Sequence, residues 1–434
     1  MYRLTGVGSM KTVVHNINKI IFPILPDIVA RDRLFKKLSD KQHFSVTWLT
    51  GKAGSGKTTL VADYLQRNKL PHIWYRVDNG DNDLSSFFYY FGLAVQNQLA
   101  VFQGKMPLLT QEYGNEYLAF SRKYFEIFCN NAPLPLYIVF DNSHTVSEDS
   151  PFHHALKEGI ARLAPEIHTI IISRKAPPAY FVSMIAENRM RIIDNFDLAF
   201  SYDETEKLIQ KEVPIELSKK LIQRIFNKSE GWAAGIVLLI RSIKQTGIMP
   251  KDPAGAPLEN IFDYFASELF NNLDRHFQLF LVKTALLPRF TAEIAASLIK
   301  SSKVKDYLVT SINEHLFLEC SRDLSTVYQY HPLFKAFLLK CSEELLKPEE
   351  VREVQSRGAD LLLKLGWIEE SFELYCQLQD SDQLISIVLK EANSLISLGR
   401  NKTLLEWISH IPEKKKMSSH GLYIGRVWGI CFNL

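Results

Sequence analysis

Short runs of apolar and β-branched residues recur through the first two hundred positions, at Phe44-Thr50, His72-Asp78, Leu136-Asp141, His168-Ser173 and Arg191-Phe196. Each reads as a β-strand, and the segments between them carry helical periodicity. Strand alternating with helix predicts an α/β unit built on a five-stranded, mostly parallel sheet. After Ser201 the strand signal fades. Apolar positions then return every three or four residues in Glu204-Lys211, Ser218-Asn227, Trp232-Gln245, Ile261-Asn271 and Arg275-Leu286, which predicts helices. Prolines and glycines crowd Gly247-Pro257, a linker signal. Two extended runs, Phe317-Glu319 and Val327-Tyr330, joined by the polar Arg322-Asp323, suit the hairpin of a winged helix. From Glu349 to the end the pattern is helical. Leu365-Gly366 returns as Leu398-Gly399 and Glu373 as Glu406, an offset close to that of the roughly 34-residue helical-hairpin repeat.

Composition narrows the class. The chain has 434 residues, enough for about three domains at roughly 150 residues each. With 51 Lys+Arg against 48 Asp+Glu and a net charge of +3, bulk charge gives no sign of a nucleic-acid binder. At 46% hydrophobic and 23% charged residues, the composition excludes a disordered or fibrous chain. Cys129, Cys320, Cys341, Cys376 and Cys431 are odd in number and never form a C-x-x-C pair, which argues against a disulfide framework or a zinc site. Apolar stretches such as Gly231 to Ile240 fall short of the roughly 20 residues of a membrane helix, and the N-terminus lacks the pattern of a signal peptide. The expectation is a cytoplasmic protein with no membrane contact.

The sharpest chemical signal is Gly51-Lys52-Ala53-Gly54-Ser55-Gly56-Lys57-Thr58, which satisfies G-x-x-x-x-G-K-[ST] between an expected strand and an expected helix. Gly51, Gly54 and Gly56 allow the backbone to wrap around phosphates and aim its N–H groups at them, aided by the helix dipole. Lys57 would neutralise the β and γ phosphates, and Thr58, followed by Thr59 on the helix, would ligate Mg²⁺. The run Leu136-Asp141 ends in a carboxylate placed to hold the magnesium shell, so Asp141 is the metal-side candidate. Asn142 occupies the place where hydrolysing relatives often carry a second acid. An amide positions water but is a poor base, which points to slow ATPase turnover at most. Arg174, at the C-terminal end of another strand, is a candidate sensor of the γ-phosphate. His331, between Tyr330 and Pro332, has no strong reading by position alone.

Taken together these residues resemble the MalT-like regulators, bacterial STAND-class signal-transduction ATPases of the large LuxR type. The likeness rests on Arg31-Asp32-Arg33-Leu34, on Trp74-Tyr75-Arg76-Val77-Asp78 leading into Gly80-Asp81-Asn82-Asp83, on Gly231-Trp232-Ala233-Ala234-Gly235 and on Tyr330-His331-Pro332-Leu333-Phe334. The resemblance implies a P-loop NTPase domain over 1–200, a helical domain over 201–257, a winged-helix domain over 258–346 and an incomplete TPR-like helical segment over 347–434. It implies ATP or ADP as the nucleotide. Arg31 and Arg33 would lie near the adenine end, Trp232 would form a wall of the site, and His331 would reach the phosphates. It also implies an inducer or protein partner on the C-terminal helices and self-association in the ATP form. DNA contact would occur only through a C-terminal domain absent from this chain, which is therefore expected to be a truncated product. Lys414-Lys415-Lys416 reads as a solvated loop. Two other readings stay open: an ATP-hydrolysing AAA-type enzyme or motor, and a nucleotide-independent helical scaffold.

Overall fold

The computed structural model describes residues 18–416, apart from 26–27, 41–43, 100–101, 103, 111–112, 114–115, 214–216, 247–262, 264–265, 268–269, 300, 302, 314–317 and 323–325. The expected linker Gly247-Pro257, most of the expected helix Ile261-Asn271 and the segment Gly421-Leu434 lie outside the described residues.

Five strands form the sheet: β1 (Val46–Thr50), β2 (His72–Arg76), β3 (Leu136–Asp141), β4 (Ile167–Ser173) and β5 (Met190–Ile193), in the order β2-β3-β4-β1-β5. Every pairing is parallel, in line with the expected five-stranded, mostly parallel sheet. The fifth strand is also displaced from Arg191-Phe196, because Asp194 caps a short helix and accepts hydrogen bonds from Phe196 N and Asp197 N. Helices α1 (Asp32–Ser39), α2 (Lys57–Arg67), α3 (Leu84–Gln98), α4 (Tyr117–Asn131), α5 (Pro151–Ile160), α6 (Val182–Ala186) and α7 (Asn195–Leu198) accompany the sheet. Strands β3 and β4 are buried along their whole length, the condition that makes them read as continuous apolar runs.

Beyond this unit come α8 (Tyr202–Glu212), α9 (Lys219–Ser229), α10 (Ala233–Thr246), α11 (Arg275–Ala285), α12 (Ala292–Ile299) and α13 (Val304–Asn313). Strands β6 (Phe290–Thr291), β7 (Leu318–Arg322) and β8 (Thr326–Tyr330) pair antiparallel in the order β6-β8-β7. The expected hairpin is present and gains β6 as a third strand. Helices α14 (Pro332–Leu345), α15 (Pro348–Lys364), α16 (Ile368–Leu378), α17 (Ser381–Ser397), α18 (Asn401–Ser409) and α19 (Glu413–Lys416) follow. Lys414-Lys415-Lys416 thus belongs to a short helix, not a loop, and Lys415 Nζ lies 2.6 Å from the Asp382 carboxylate.

The repeated Leu-Gly pair ends α15 and α17 in the same way. Gly366 and Gly399 take φ of 77° and 74°, and the next residue's N–H turns back to the helix, Trp367 to Leu362 O at 2.9 Å and Arg400 to Leu395 O at 2.8 Å. A side chain at Gly399 would stand 2.5 Å from Leu109 O, so glycine is required there twice over.

Packing of α5 on α4 also depends on a glycine. A Cβ at Gly159 would stand 2.3 Å from the Phe125 ring, which is fully buried. Gly159→Ala is therefore expected to destabilise the fold by about 1–3 kcal/mol despite alanine's better helix propensity, measured as a lowered midpoint in urea unfolding.

Candidate functional site

The loop 51–56 leaves β1 at its carboxyl end and enters α2, with Gly54 and Gly56 at φ of 72° and 80°. A Cβ on Gly54 would stand 2.7 Å from Ala234, because α10 begins directly against the loop: Ala234 N donates to Gly54 O at 3.0 Å. Lys57 opens α2 and folds over the loop. Its ammonium donates to Gly51 O at 2.7 Å, to Lys52 O at 2.8 Å and to Ser55 Oγ at 3.1 Å. Burial lowers its pKa to about 8, with the charge of Arg174 pushing the same way and Asp141 opposing.

One place over, Thr58 Oγ1 lies 3.2 Å from both carboxylate oxygens of Asp141. Asp141 ends β3 and is 1% exposed. A hydroxyl on the loop helix facing a buried carboxylate is the donor set that a hard, oxygen-seeking cation requires. Among the described residues no cluster of three or more His, Cys, Asp or Glu offers an alternative metal site. Asn142 turns away at φ 65°, a left-handed conformation that asparagine tolerates, and its N–H donates to Asp141 Oδ1 at 2.9 Å. Arg174 follows β4, the strand between β1 and β3, so the sheet order sets it between the loop and Asp141.

A cavity of about 400 Å³ joins these groups. Its polar walls include Gly54, Gly56, Lys57, Thr58, Thr59, Asp141, Asn142, Arg174 and His331. Its apolar walls include Ile24, Leu25, Phe200, Val237, Ile240 and Leu318, drawn from the N-terminal segment, α10 and β7. Ile24 is bridged to β7, Ile24 N donating to Cys320 O at 3.2 Å. Charged and apolar walls in one cavity suit a ligand that carries both a charged group and an apolar one.

His331 enters this cavity from the start of α14. Its Nδ1 accepts from Leu333 N at 3.3 Å, capping the helix ahead of Pro332. A neutral ring so engaged carries its proton on Nε2, a donor suited to an anion.

Arg31, Arg33 and Trp232 each make hydrogen bonds within the protein. Arg31 borders the cavity, but its guanidinium is committed to Leu198 O and Ala199 O at 2.9 Å and to Glu204 Oε2 at 3.1 Å, stacked 4.2 Å over the Phe200 ring. Arg33 stands outside the cavity wall and donates to Asp197 O at 2.8 Å and Ala199 O at 2.9 Å. Both tie the N-terminal segment to the entry of α8, and Arg31 Nε is left buried without a hydrogen-bond partner among the described residues. Trp232 also stands outside the wall and props the loop from behind, Nε1 donating to Ala53 O at 3.0 Å. Gly51 serves the loop through its carbonyl, which accepts from Lys57.

The cavity also holds residues that the motifs did not flag. His144, three positions past Asp141, is pushed to about 4 by burial and by Arg174, Lys57 and Lys175, so it is neutral at pH 7. Arg241 on α10 and Arg76 at the end of β2 also border the cavity. Strand-end position could have indicated Arg76 and His144; nothing local marks Arg241 or Ile24.

Comparison with known proteins follows the same lines. Residues 27–174 match the family described as Nephrocystin 3, N-terminal, and residues 266–350 match the MalT winged helix domain. The HTH-type transcriptional regulator MalT of Cronobacter sakazakii is 25% identical over 419 residues, covering 95% of this chain and 46% of that protein. This chain thus spans about half the length of the curated relative it matches. Among solved structures, the STAND protein with a tetratricopeptide repeat sensor from Pyrococcus horikoshii shares the fold with a TM-score of 0.63, over 89% of this chain and 54% of its own, at 16% identity. Over the stretch shared with these proteins, the chain is similar to the MalT-like regulators of the STAND class, and it has an α/β core, a winged helix and a helical C-terminal part.

Proposed function

We propose that this chain is the nucleotide-binding part of a cytoplasmic signal-transduction switch. ATP or ADP, with Mg²⁺, would hold together a P-loop domain (1–200), a helical domain (201–257) and a winged-helix domain (258–346). The segment 347–434 would begin a TPR-like sensor whose inducer or protein partner biases opening. Transcriptional output would require a DNA-binding domain such as the MalT relative's HTH-type description names, and the ATP form would self-associate.

The observation that carries this reading is that one cavity is walled by the loop, by α10 and by His331. A ligand touching all three makes their arrangement depend on what is bound. In that reading Lys57 holds the phosphates, Thr58 and Asp141 hold Mg²⁺, which offsets the charge of the phosphate oxygens, and Arg174 and His331 touch the outermost phosphate. The apolar walls flank the base. Asn142 supplies no base for water, so hydrolysis is slow and occupancy, not turnover, is the signal. A fast multiple-turnover hydrolase would contradict this and favour a motor.

The first test is to denature purified protein and chromatograph what it releases. The wild type is expected to yield ADP near equal stoichiometry and Lys57→Ala little, since losing charged contacts to phosphate costs roughly 10–100-fold in affinity. No specific adenine-nucleotide binding by the folded wild type would end the switch reading. His331→Asn keeps a side chain able to cap α14 and is expected to speed ADP release several-fold with little change in melting temperature, whereas His331→Ala also loses about 1 kcal/mol of stability with the cap.

The pKa of Lys57 fixes a pH signature. Near pH 8.5 its amine is mostly neutral in the protein, given a pKa of about 8. Bound phosphate favours the ammonium and lifts that pKa, so nucleotide binding takes up protons at this pH and takes up few below pH 7, where the ammonium is already formed. Calorimetry in buffers of different ionisation enthalpy is expected to read this uptake, and Lys57→Met to abolish it.

A further inference from the structure

Helix α2 presents a second polar group beyond the threonines at its start. Thr59 and Asp63 are four residues apart, so they share one face of the helix with about 6 Å of axial rise between them. Both are walls of the nucleotide cavity, as are Lys57, Thr58 and Leu60 on the same helix. Asp63 is only 5% exposed and sits between the buried Ala62 and Tyr64. An acid withdrawn from water to that degree is costly unless its oxygens are engaged.

One engagement is local. Arg67, a further turn along α2, donates from Nε to Asp63 Oδ1 at 2.6 Å, and its Nη2 donates to Ile28 O at 3.0 Å. Lys211 of α8 donates to the same carbonyl at 3.1 Å. Ile28 and Val29 are cavity walls as well. Asp63 is thereby held where α2 meets the N-terminal segment, one turn further from the loop 51–56 than Thr59. A carboxylate opposite a guanidinium accepts hydrogen bonds and has none to donate, so the cavity offers an acceptor at this point.

The order of groups along α2 matches the order of groups along a nucleotide. In the switch reading the outer phosphates lie at Lys57 and Thr58, which leaves the phosphate nearest the sugar for Thr59 and the sugar itself for the next turn. A ribose presents two neighbouring hydroxyls, each a donor, and a carboxylate has the acceptor capacity for both. The acidic residue of dinucleotide-binding folds uses the same chemistry on a ribose hydroxyl. The base needs no acid here, because Leu25, Val29, Val237 and Ile240 supply apolar walls. We propose that Asp63 is the sugar-reading residue of this site, accepting from the 2′- and 3′-hydroxyls of a ribonucleotide, and that Arg67 is the positioning residue that orients it. This rests on the switch reading above.

The test is a titration of the whole chain with ADP, 2′-deoxy-ADP and 3′-deoxy-ADP, followed by calorimetry. A site built to bond a hydroxyl rejects the analogue that lacks it, because its own buried acceptor is left unpaired, so each deoxy analogue is expected to bind the wild type about tenfold more weakly than ADP. Asp63→Ala is expected to bind ADP about as weakly as the wild type binds the deoxy analogues and to bring all three ligands to within about twofold of one another. Asp63→Asn, which keeps the shape and one acceptor oxygen, is expected to give intermediate ratios, and Arg67→Met to lower the ratios without abolishing them. A purely structural role for Asp63 would weaken the three ligands alike, so ratios that the variants leave unchanged overturn the assignment. Equal affinity of the wild type for ADP and both deoxy analogues overturns it without recourse to any variant, and leaves the switch reading standing. A wild type that binds no adenine nucleotide overturns the switch and the sugar assignment with it.

Discussion

The apolar side chains of this protein are divided at the junction near Ser201, and that division governs how its parts can move. The two cores around the parallel sheet draw their buried residues from Ile20 to Leu198, while the third runs from Leu208 to Ile411 through the helical part, the three-stranded sheet and the C-terminal helices. Among the described residues, only Val29 and Phe200 from the N-terminal side pack against the third core. Hydrophobic burial is non-directional and hard to interrupt once made, so a single merged core would have locked both halves into one body. What crosses instead is directional: Arg31 and Arg33 on Glu204, Arg76 on Gln329, and Arg400 on Ser86 and Tyr90. Interfaces of this kind hold a register and yield to competition.

The nucleotide cavity lies on the same division, and its electrostatics follow from that. Lys57 and Arg174 face it from the α/β side, Arg241 and His331 from the other, with the Asp141 carboxylate beside Thr58. The pKa of Lys57 is lowered first by burial and then by the charge of Arg174. An anion placed among these groups would raise it and draw both halves in. The cohesion of the closed arrangement is then supplied by the ligand to a degree that apolar packing between the halves does not match.

Much of this was legible in the sequence where the rule involved is local. The loop from Gly51 to Thr58 is read from spacing, and Asp141 from an apolar run ended by an acid. Position alone gave His331 no strong reading, and the tertiary fold puts it in the cavity. Helix α3 was not singled out because Leu84, Phe87, Phe88, Tyr90, Phe91, Ala94 and Val95 are buried on several sides, leaving no polar face to create a stripe. Arg31 carries the reverse lesson: the family resemblance implied a place near the base, while the fold engages its donors on the backbone of 198–199 and on Glu204. The Leu-Gly repeat was visible at its offset of 33, but the partner of the residue after its second copy, Ser86, lies 314 positions away.

In the proposed switch, distance from the loop decides which groups can tell one nucleotide from another. The backbone N–H groups of the loop, the dipole of α2 and Lys57 meet phosphates that a diphosphate and a triphosphate share. Contacts made equally to both ligands shift no equilibrium, however tight they are. Discrimination falls to groups set beyond the loop, on other elements: Arg174 after β4, Asn142 after β3 and His331 at the start of α14. Of these, Asn142 also borders a cleft against the C-terminal helices, and His331 is two residues from Gln329, the partner of Arg76. Two of the positions able to sense an added phosphate thus lie on or beside the C-terminal half, and binding strength at the loop can be high without fixing the state of the switch.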